Sequence, residues 1–280
     1  MLTVGYYPAI VQLILWTGHT NQQLNIDRRH ILSITTHWAA RSLTYGQSGP
    51  PLNPNQEIID GFTGLVPTNG HILLLGVTAK IAQAYEHITA VDYNEAMIER
   101  VWPGNTPTKQ VQYANWLEVD LPLNTYDGIV GDGSVNMLAY PAEVKQLFDR
   151  SLSWLKPGGV FAARVWTRPD IPVTVERIRA ETTMSFTAWR RLLNMYIAER
   201  DGSIFPVTKI AELFDELFPD PSVLPWENMT SIDPYRTSTA TSWFPTRQEI
   251  LDIAPQGSRF VDVGTYEIAD TCPILTFVKQ

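Results

Sequence analysis

His71-Ile72-Leu73-Leu74-Leu75-Gly76 is a short, unbroken apolar run that ends on glycine. A parallel strand buried on both faces reads this way, whereas a strand with one wet face alternates. A compact helical pattern over residues 79–85 follows, and Ile88-Thr89-Ala90-Val91-Asp92 is a second run of the same kind. Residues 111–114 give a third candidate strand and Asp127-Gly128-Ile129-Val130-Gly131 a fourth. The strongest helix comes next. Pro141 sits in its first turn, Val144, Leu147, Phe148, Leu152 and Leu155 share one face, and Lys156-Pro157-Gly158-Gly159 is expected to stop it. Residues 160–165 form the fifth strand. Strands that alternate with helices through short turns predict an α/β fold, a doubly wound, Rossmann-like, mostly parallel sheet with helices on both faces.

Two more candidate strands, 259–268 and 273–278, bring the sheet to seven. Only residues 269–272 separate them, too few for a parallel crossover, so the last strand is expected to run antiparallel. Between strands five and six, residues 169–244 exceed an ordinary connection. They hold helical patterns at 173–183, 189–200 and 208–217, then a Pro- and aromatic-rich loop at 219–243. Thr246-Arg247-Gln248-Glu249 is a capping box for the helix before strand six. The expected organisation is a core of residues 68–168 and 245–280, with 169–244 inserted as a helical cap and substrate lid. Residues 1–67 form an N-terminal helical segment contributing to that cap.

The N-terminal segment is unusual in charge. Its first 26 residues contain no Asp, Glu, Lys or Arg. The apolar run from Tyr6 to Trp16 lacks the basic start and small-residue cleavage site of a secretory signal. It is too short to span a bilayer and is interrupted by Pro8 and Gln12, so a packed segment without stable membrane insertion is expected. Asp27 caps a predicted helix over 28–44, and a shorter helix is expected over 56–65.

Composition narrows the partners. A formal charge of −8 without a Lys/Arg cluster disfavours nucleic acid, which is bound chiefly by neutralising phosphates. The single cysteine, Cys272, can form neither an internal disulfide nor a thiolate metal cage, and suits a cytoplasmic location. The charged fraction, 18%, is below the roughly 25% of an average soluble domain, and nine tryptophans are in excess. Trp38, Trp166, Trp189, Trp226 and Trp243 fall in the N-terminal helix, at the tip of strand five or in the cap, which suggests an apolar chamber over the sheet edge.

Ligands of doubly wound sheets bind outside the carboxyl ends of the strands. The residues there are Gly76-Val77-Thr78, Asp92, Asn115-Trp116, Gly131-Asp132-Gly133 and the stretch 164–168. Gly76 lets the backbone approach a ligand. Asp92, at the end of the next strand, can accept both hydroxyls of a ribose. A pyrophosphate-binding turn would want further glycines where Thr78 and Lys80 stand, which disfavours NAD or FAD and leaves a nucleoside ligand without phosphate.

Several of these segments, taken in order, resemble the class I S-adenosylmethionine-dependent methyltransferases. They are residues 73–78, 90–98, 115–122, 126–134 and 155–159, together with the antiparallel terminal strand. The resemblance covers about residues 68–168 and 245–280, and departs from the family in its glycine-poor first motif. It implies that S-adenosyl-L-methionine is the cofactor. Its methionine part would lie against Gly76, Val77 and Thr78, its ribose on Asp92, and its adenine beside Tyr93 and Met97. Asn115 and Trp116 fall where the family has an acidic acceptor for the adenine amino group. Asp132, Gly133 and Ser134 fall at the fourth strand's tip, facing the methyl group and the acceptor.

The acceptor side is thinner. His30 and His37 share a helix face but lack a third ligand, so no metal is expected; His37 beside Trp38 is a candidate general base, with a capping or buried histidine as the competing role. Arg164 and Arg168 could hold a substrate carboxylate bidentately, or form salt bridges to the cap. Tyr196 and Tyr235 are cap residues that either touch substrate or pack. The expected function is methyl transfer to a small-molecule acceptor whose nucleophilic atom is open, as is the oligomeric state. Two rivals stand beside it: a non-catalytic methyltransferase-like binding subunit, and a nicotinamide-dependent oxidoreductase that the glycine pattern disfavours.

Overall fold

The computed structural model describes Ser42, Leu43, Tyr45 and residues 49–226 and 230–280. The elements run in the order α1 (Gln56–Leu65), β1 (His71–Leu75), α2 (Ala79–Ala84), β2 (His87–Asp92), α3 (Glu95–Val101), β3 (Lys109–Tyr113) and β4 (Tyr126–Asp132). After these come α4 (Ala142–Trp154), β5 (Leu155–Arg164), α5 (Val175–Ala180), α6 (Phe186–Asp201), β6 (Ile204–Pro206) and α7 (Thr208–Leu217). The chain closes with β7 (Thr241–Trp243), α8 (Arg247–Leu251), β8 (Arg259–Val261) and β9 (Ile274–Val278).

Seven strands make one sheet in the order β3-β2-β1-β4-β5-β9-β8. Neighbours from β3 to β5 are parallel, and β9 is antiparallel to both β5 and β8. The expected doubly wound sheet with an antiparallel last strand is therefore what forms. Side chains alternate across it. Leu73, Leu75, Ile129, Phe161 and Phe277 pack under α4, while Ile72, Leu74, Val130, Ala162 and Ile274 pack with Ile58 and Phe62 of α1. Phe161 and Phe277, directly opposed on β5 and β9, stack with centroids 4.6 Å apart, and Phe148 meets both edge-on.

Two boundaries differ most from the sequence reading. The Lys156-Pro157-Gly158-Gly159 stretch was expected to follow the helix as a stop; instead α4 ends at Trp154 and the four residues belong to β5. They form an irregularity in which Tyr126 pairs Leu155 but Gly128 pairs Val160. Gly158, at φ +79, turns the bulge, and its N–H donates to Lys279 O at 2.8 Å, tying it to the terminal strand. The sixth strand, expected over 259–268, keeps only Arg259–Val261. Gly264 at φ +80 turns the chain out of the sheet, and Thr265 N donates to Glu57 Oε2 at 2.9 Å, so that segment bonds to the α1 end instead.

Residues 169–244 build an apolar centre of their own. Trp189, Leu192, Leu193, Ile197, Phe205, Ile210 and Phe214 are buried there, together with Trp166, Ile268 and Cys272 from the sheet side. The short ribbon of β6 and β7 is antiparallel. The insertion leaves β5 and returns to α8 at adjoining points, where Arg168 N donates to Pro245 O at 2.7 Å. The expected capping box is present: Thr246 Oγ1 accepts from Glu249 N at 3.1 Å and Glu249 Oε2 from Thr246 N at 2.6 Å. The predicted helix over 28–44 lies almost entirely outside the described residues, as do His30 and the candidate base His37. Among the described residues no helix is long and apolar enough to cross a membrane.

Candidate functional site

A cavity of about 370 Å³ opens at the carboxyl ends of β1, β2 and β4, where strand order reverses. The strand ends supply Gly76, Val77, Thr78, Asp92 and Asp132, and α6 faces them with Thr187, Arg190 and Arg191. Of the residues singled out in the sequence, the structure gathers Gly76, Val77, Thr78, Asp92, Tyr93, Met97, Trp116, Asp132, Gly133, Ser134, Arg164 and Tyr235 on this cavity.

Gly76 leaves β1 at φ +104, a conformation that side chains rarely adopt, and its N–H donates to Val91 O at 2.8 Å. A Cβ there would stand 3.8 Å from Asp92 Oδ2, so the carboxylate faces this bare turn. Asp92 Oδ1 accepts from Asn94 N at 2.8 Å. Burial nevertheless pushes the carboxyl up to about 6, against the pull of the Asn94 and Tyr93 N–H groups, and no cation is among the groups acting on it. A half-satisfied, desolvated carboxylate beside an open glycine turn suits a ligand that presents hydroxyl donors. Trp116 closes the same side, its ring fixed by an Nε1–H bond to Val91 O at 2.6 Å, and Met97 is buried on α3. Ser134 Oγ is buried on the cavity wall and has no hydrogen-bond partner among the described residues. Carboxylate, apolar faces and spare hydroxyl together fit a nucleoside without a phosphate.

Arg164 and Asp132 close the other end. Arg164 Nε donates to Asp132 Oδ1 at 2.5 Å, and its remaining nitrogens donate to Tyr266 Oη at 3.1 Å and Pro51 O at 2.8 Å. This arginine is therefore paired within the sheet, to β4, and not to the insertion as the salt-bridge alternative had it. Arg168 does reach the insertion, through Glu199 and Ser203, and reaches Glu249 of α8; it is not among the cavity-lining residues. Tyr196 packs on the second apolar centre with Arg200 over its ring, also away from the lining, whereas Tyr235 lines the cavity beneath Arg190. Asn115 lies off the lining too, its Oδ1 accepting from Leu117 N at 3.0 Å. Lys80 Nζ donates to Pro54 O at 3.0 Å.

Arg190 and Arg191 went unremarked in the sequence. The signal was present: two arginines inside an otherwise apolar helical stretch, with no acid within four residues to pair them. Trp166 joins them, its ring under the Arg191 guanidinium at 3.6 Å and its Nε1 placed 3.3 Å from where a Cβ on Gly133 would stand.

Comparison with known proteins identifies the central segment. Residues 75–163 match the family model of a methyltransferase domain. Among solved structures, one described as a Zn-dependent alcohol dehydrogenase from Rhodobacter sphaeroides is 12% identical and covers 88% of this chain and 98% of its own, with a TM-score of 0.54. At that identity the likeness is one of fold, and among the described residues no three His, Cys, Asp or Glu side chains gather where a metal ion could be held. The N-methyltransferase NodS from Bradyrhizobium japonicum, bound to S-adenosyl-L-homocysteine, is 13% identical over 88% of this chain and 98% of its own, with a TM-score of 0.48. An S-adenosylmethionine-dependent methyltransferase from Mesorhizobium loti is 14% identical over 79% and 94%, with a TM-score of 0.44. No curated protein matches the chain.

Proposed function

We propose that this chain, a class I S-adenosylmethionine-dependent methyltransferase by its 75–163 domain, transfers the methyl group to a small molecule held between the sheet edge and residues 169–244. One observation carries the proposal. The cavity has two walls, the strand ends with Gly76, Asp92 and Gly133, and the face of α6 with Thr187, Arg190 and Arg191. A space of about 370 Å³ walled on both sides suits a cofactor and a small acceptor better than a polymer.

In this reading Asp92 takes the ribose hydroxyls, Gly76 to Thr78 flank the methionine part, and Met97 and Trp116 enclose the adenine. The cofactor, when bound, supplies an activated sulfonium methyl group. The chain's task is then to align the acceptor with it and to keep water out, and orientation of a bound pair can contribute about 7–11 kcal/mol. Asp132 is committed to Arg164, and no histidine, lysine or glutamate is among the described lining residues. Residues 169–244 act as the substrate lid. A cytoplasmic location belongs to the same reading, supported by the lone, buried thiol of Cys272.

Calorimetry with S-adenosylmethionine, S-adenosylhomocysteine and NAD tests the cofactor half, with binding expected for the two sulfur nucleosides alone. Methyl-labelled cofactor incubated with a cell extract tests the acceptor half. Label is expected in the low-molecular-weight fraction. Label confined to protein or nucleic acid would overturn the small-molecule reading, and binding without any transfer would favour a non-catalytic subunit.

A further inference from the structure

We infer that Arg191 anchors a carboxylate on the methyl acceptor, so that the substrate is a small organic acid; this rests on the methyltransferase reading above. Thr187, Arg190 and Arg191 stand at i, i+3 and i+4 on α6 and therefore share the face that lines the cavity. The Arg191 guanidinium lies over Trp166, its carbon 3.6 Å from the ring centre, with Phe244 at 6.0 Å. Its Nε is buried without a hydrogen-bond partner, and no ion pair among the described residues includes it. The contrast with Arg164 is direct, since that guanidinium has a carboxylate, a phenol and a carbonyl.

Burial pushes the Arg191 guanidinium down to about 10, and the groups that act on it next are Cys272, Arg190, Tyr235 and Arg164. Among these described groups two are further cations and none is a carboxylate. An arginine stays protonated in proteins, so a largely enclosed guanidinium on the cavity wall with no counter-ion among the described residues is an unfavourable arrangement for the fold alone. A ligand with a planar anion removes the cost, and the guanidinium fork matches a carboxylate bidentately.

Position separates this group from the ribose end. Arg191 rests on Trp166, just beyond β5, whereas Asp92 ends β2. With β1 and β4 between them, the two strands are three spacings apart, about 14 Å.

The test uses the full chain saturated with S-adenosylhomocysteine, titrated calorimetrically with three acid–amide pairs: acetate and acetamide, benzoate and benzamide, indole-3-acetate and indole-3-acetamide. At least one acid is expected to bind tenfold or more tightly than its amide. That preference should vanish in Arg191→Met and survive in part in Arg191→Lys, with S-adenosylhomocysteine affinity within threefold of wild type in both. If no acid outbinds its amide in the wild type, a comparison that needs no variant, the proposal is overturned. It is equally overturned if the preference persists in Arg191→Met, or if that variant loses tenfold or more in S-adenosylhomocysteine affinity, which would assign Arg191 to the cofactor's own carboxylate. In all three outcomes the methyltransferase reading stands. Failure of the wild type to bind S-adenosylhomocysteine removes both.

Discussion

Arg164 and Asp132 face each other as register partners on the neighbouring parallel strands β5 and β4, joined Nε to Oδ1 at 2.5 Å with side chains only 2% and 3% exposed. Removing one member of such a pair strands the other charge in a dry site, which typically costs about 3–5 kcal/mol. Asp132→Asn is therefore expected to destabilise the protein by that order in equilibrium urea unfolding. Adding Arg164→Met to it should recover part of the loss, because the orphaned charge is then gone.

Asp92 carries the opposite signature, a carboxylate that the fold holds at a cost. Its folded value of about 6 lies above the ordinary 3.8, so the native state binds the proton more tightly than the unfolded chain does. Stability from this group is present at low pH and is lost as pH rises from about 4 to 6. Asp92→Asn, which has no charge to desolvate, should be more stable than wild type at neutral pH by about 1–3 kcal/mol. The same variant should bind S-adenosylhomocysteine at least about tenfold more weakly, having lost hydrogen bonds to a charged acceptor. A thermal melt and a calorimetric titration read the two effects, and a variant that is neither more stable nor weaker in binding would refute the assignment.

Ligand binding should also titrate. If Asp92 takes the ribose hydroxyls as proposed, they donate to its ionised form and lower its pKa in the complex, so below about pH 6 binding must expel a proton. Wild-type affinity is expected to fall by up to about tenfold per pH unit on going below that value, and Asp92→Asn to show no such slope. Titrations at pH 5, 6 and 7 suffice to decide.

Glu249 joins three structures at once: it closes the capping box on Thr246, accepts from Ser203 Oγ at 2.8 Å, and pairs with Arg168 at 3.1 Å. An N-terminal cap is worth about 0.5–2 kcal/mol and an exposed ion pair under about 1. Glu249→Ala should accordingly cost about 1–3 kcal/mol, with faster limited proteolysis within residues 169–244 as its local readout.

Cys272 is wholly buried and its thiol is pushed up to about 11 by desolvation. A disulfide reagent such as Ellman's is expected to leave the native protein unmodified and to react once it is unfolded, which makes the thiol a built-in probe of opening.

Much of this was legible in the chain because burial on both faces leaves no alternation to misread. The runs 71–76 and 88–92 named their strands, and the glycine and aspartate ending them stand together on the cavity. Geometry that depends on pairing was less legible. Lys156-Pro157-Gly158-Gly159 reads as a helix stop because local rules favour it; its pairing beside β4 and the bonds of Gly158 and Gly159 with Lys279 make it part of a strand. Arg164 looked available for substrate because nothing local places Asp132 in its register row. Arg190 and Arg191 were passed over because a charge pair on a helix usually faces water, and their place on the cavity wall follows from how α6 lies across the sheet edge.

The bond from Arg168 N to Pro245 O sets the two ends of the inserted segment side by side. Its loops can lengthen or shorten without moving β5 relative to α8 so long as Ser203 keeps its bond to Glu249 and Trp243 its bond to Leu138 O, since loop length alone costs little once the ends are fixed. On the proposed reading, the wall that meets the acceptor can thereby vary while the wall that meets the cofactor stays constant. Grafting a foreign segment between positions 168 and 245 should redirect the enzyme to a new acceptor while its appetite for the methyl donor is inherited unchanged.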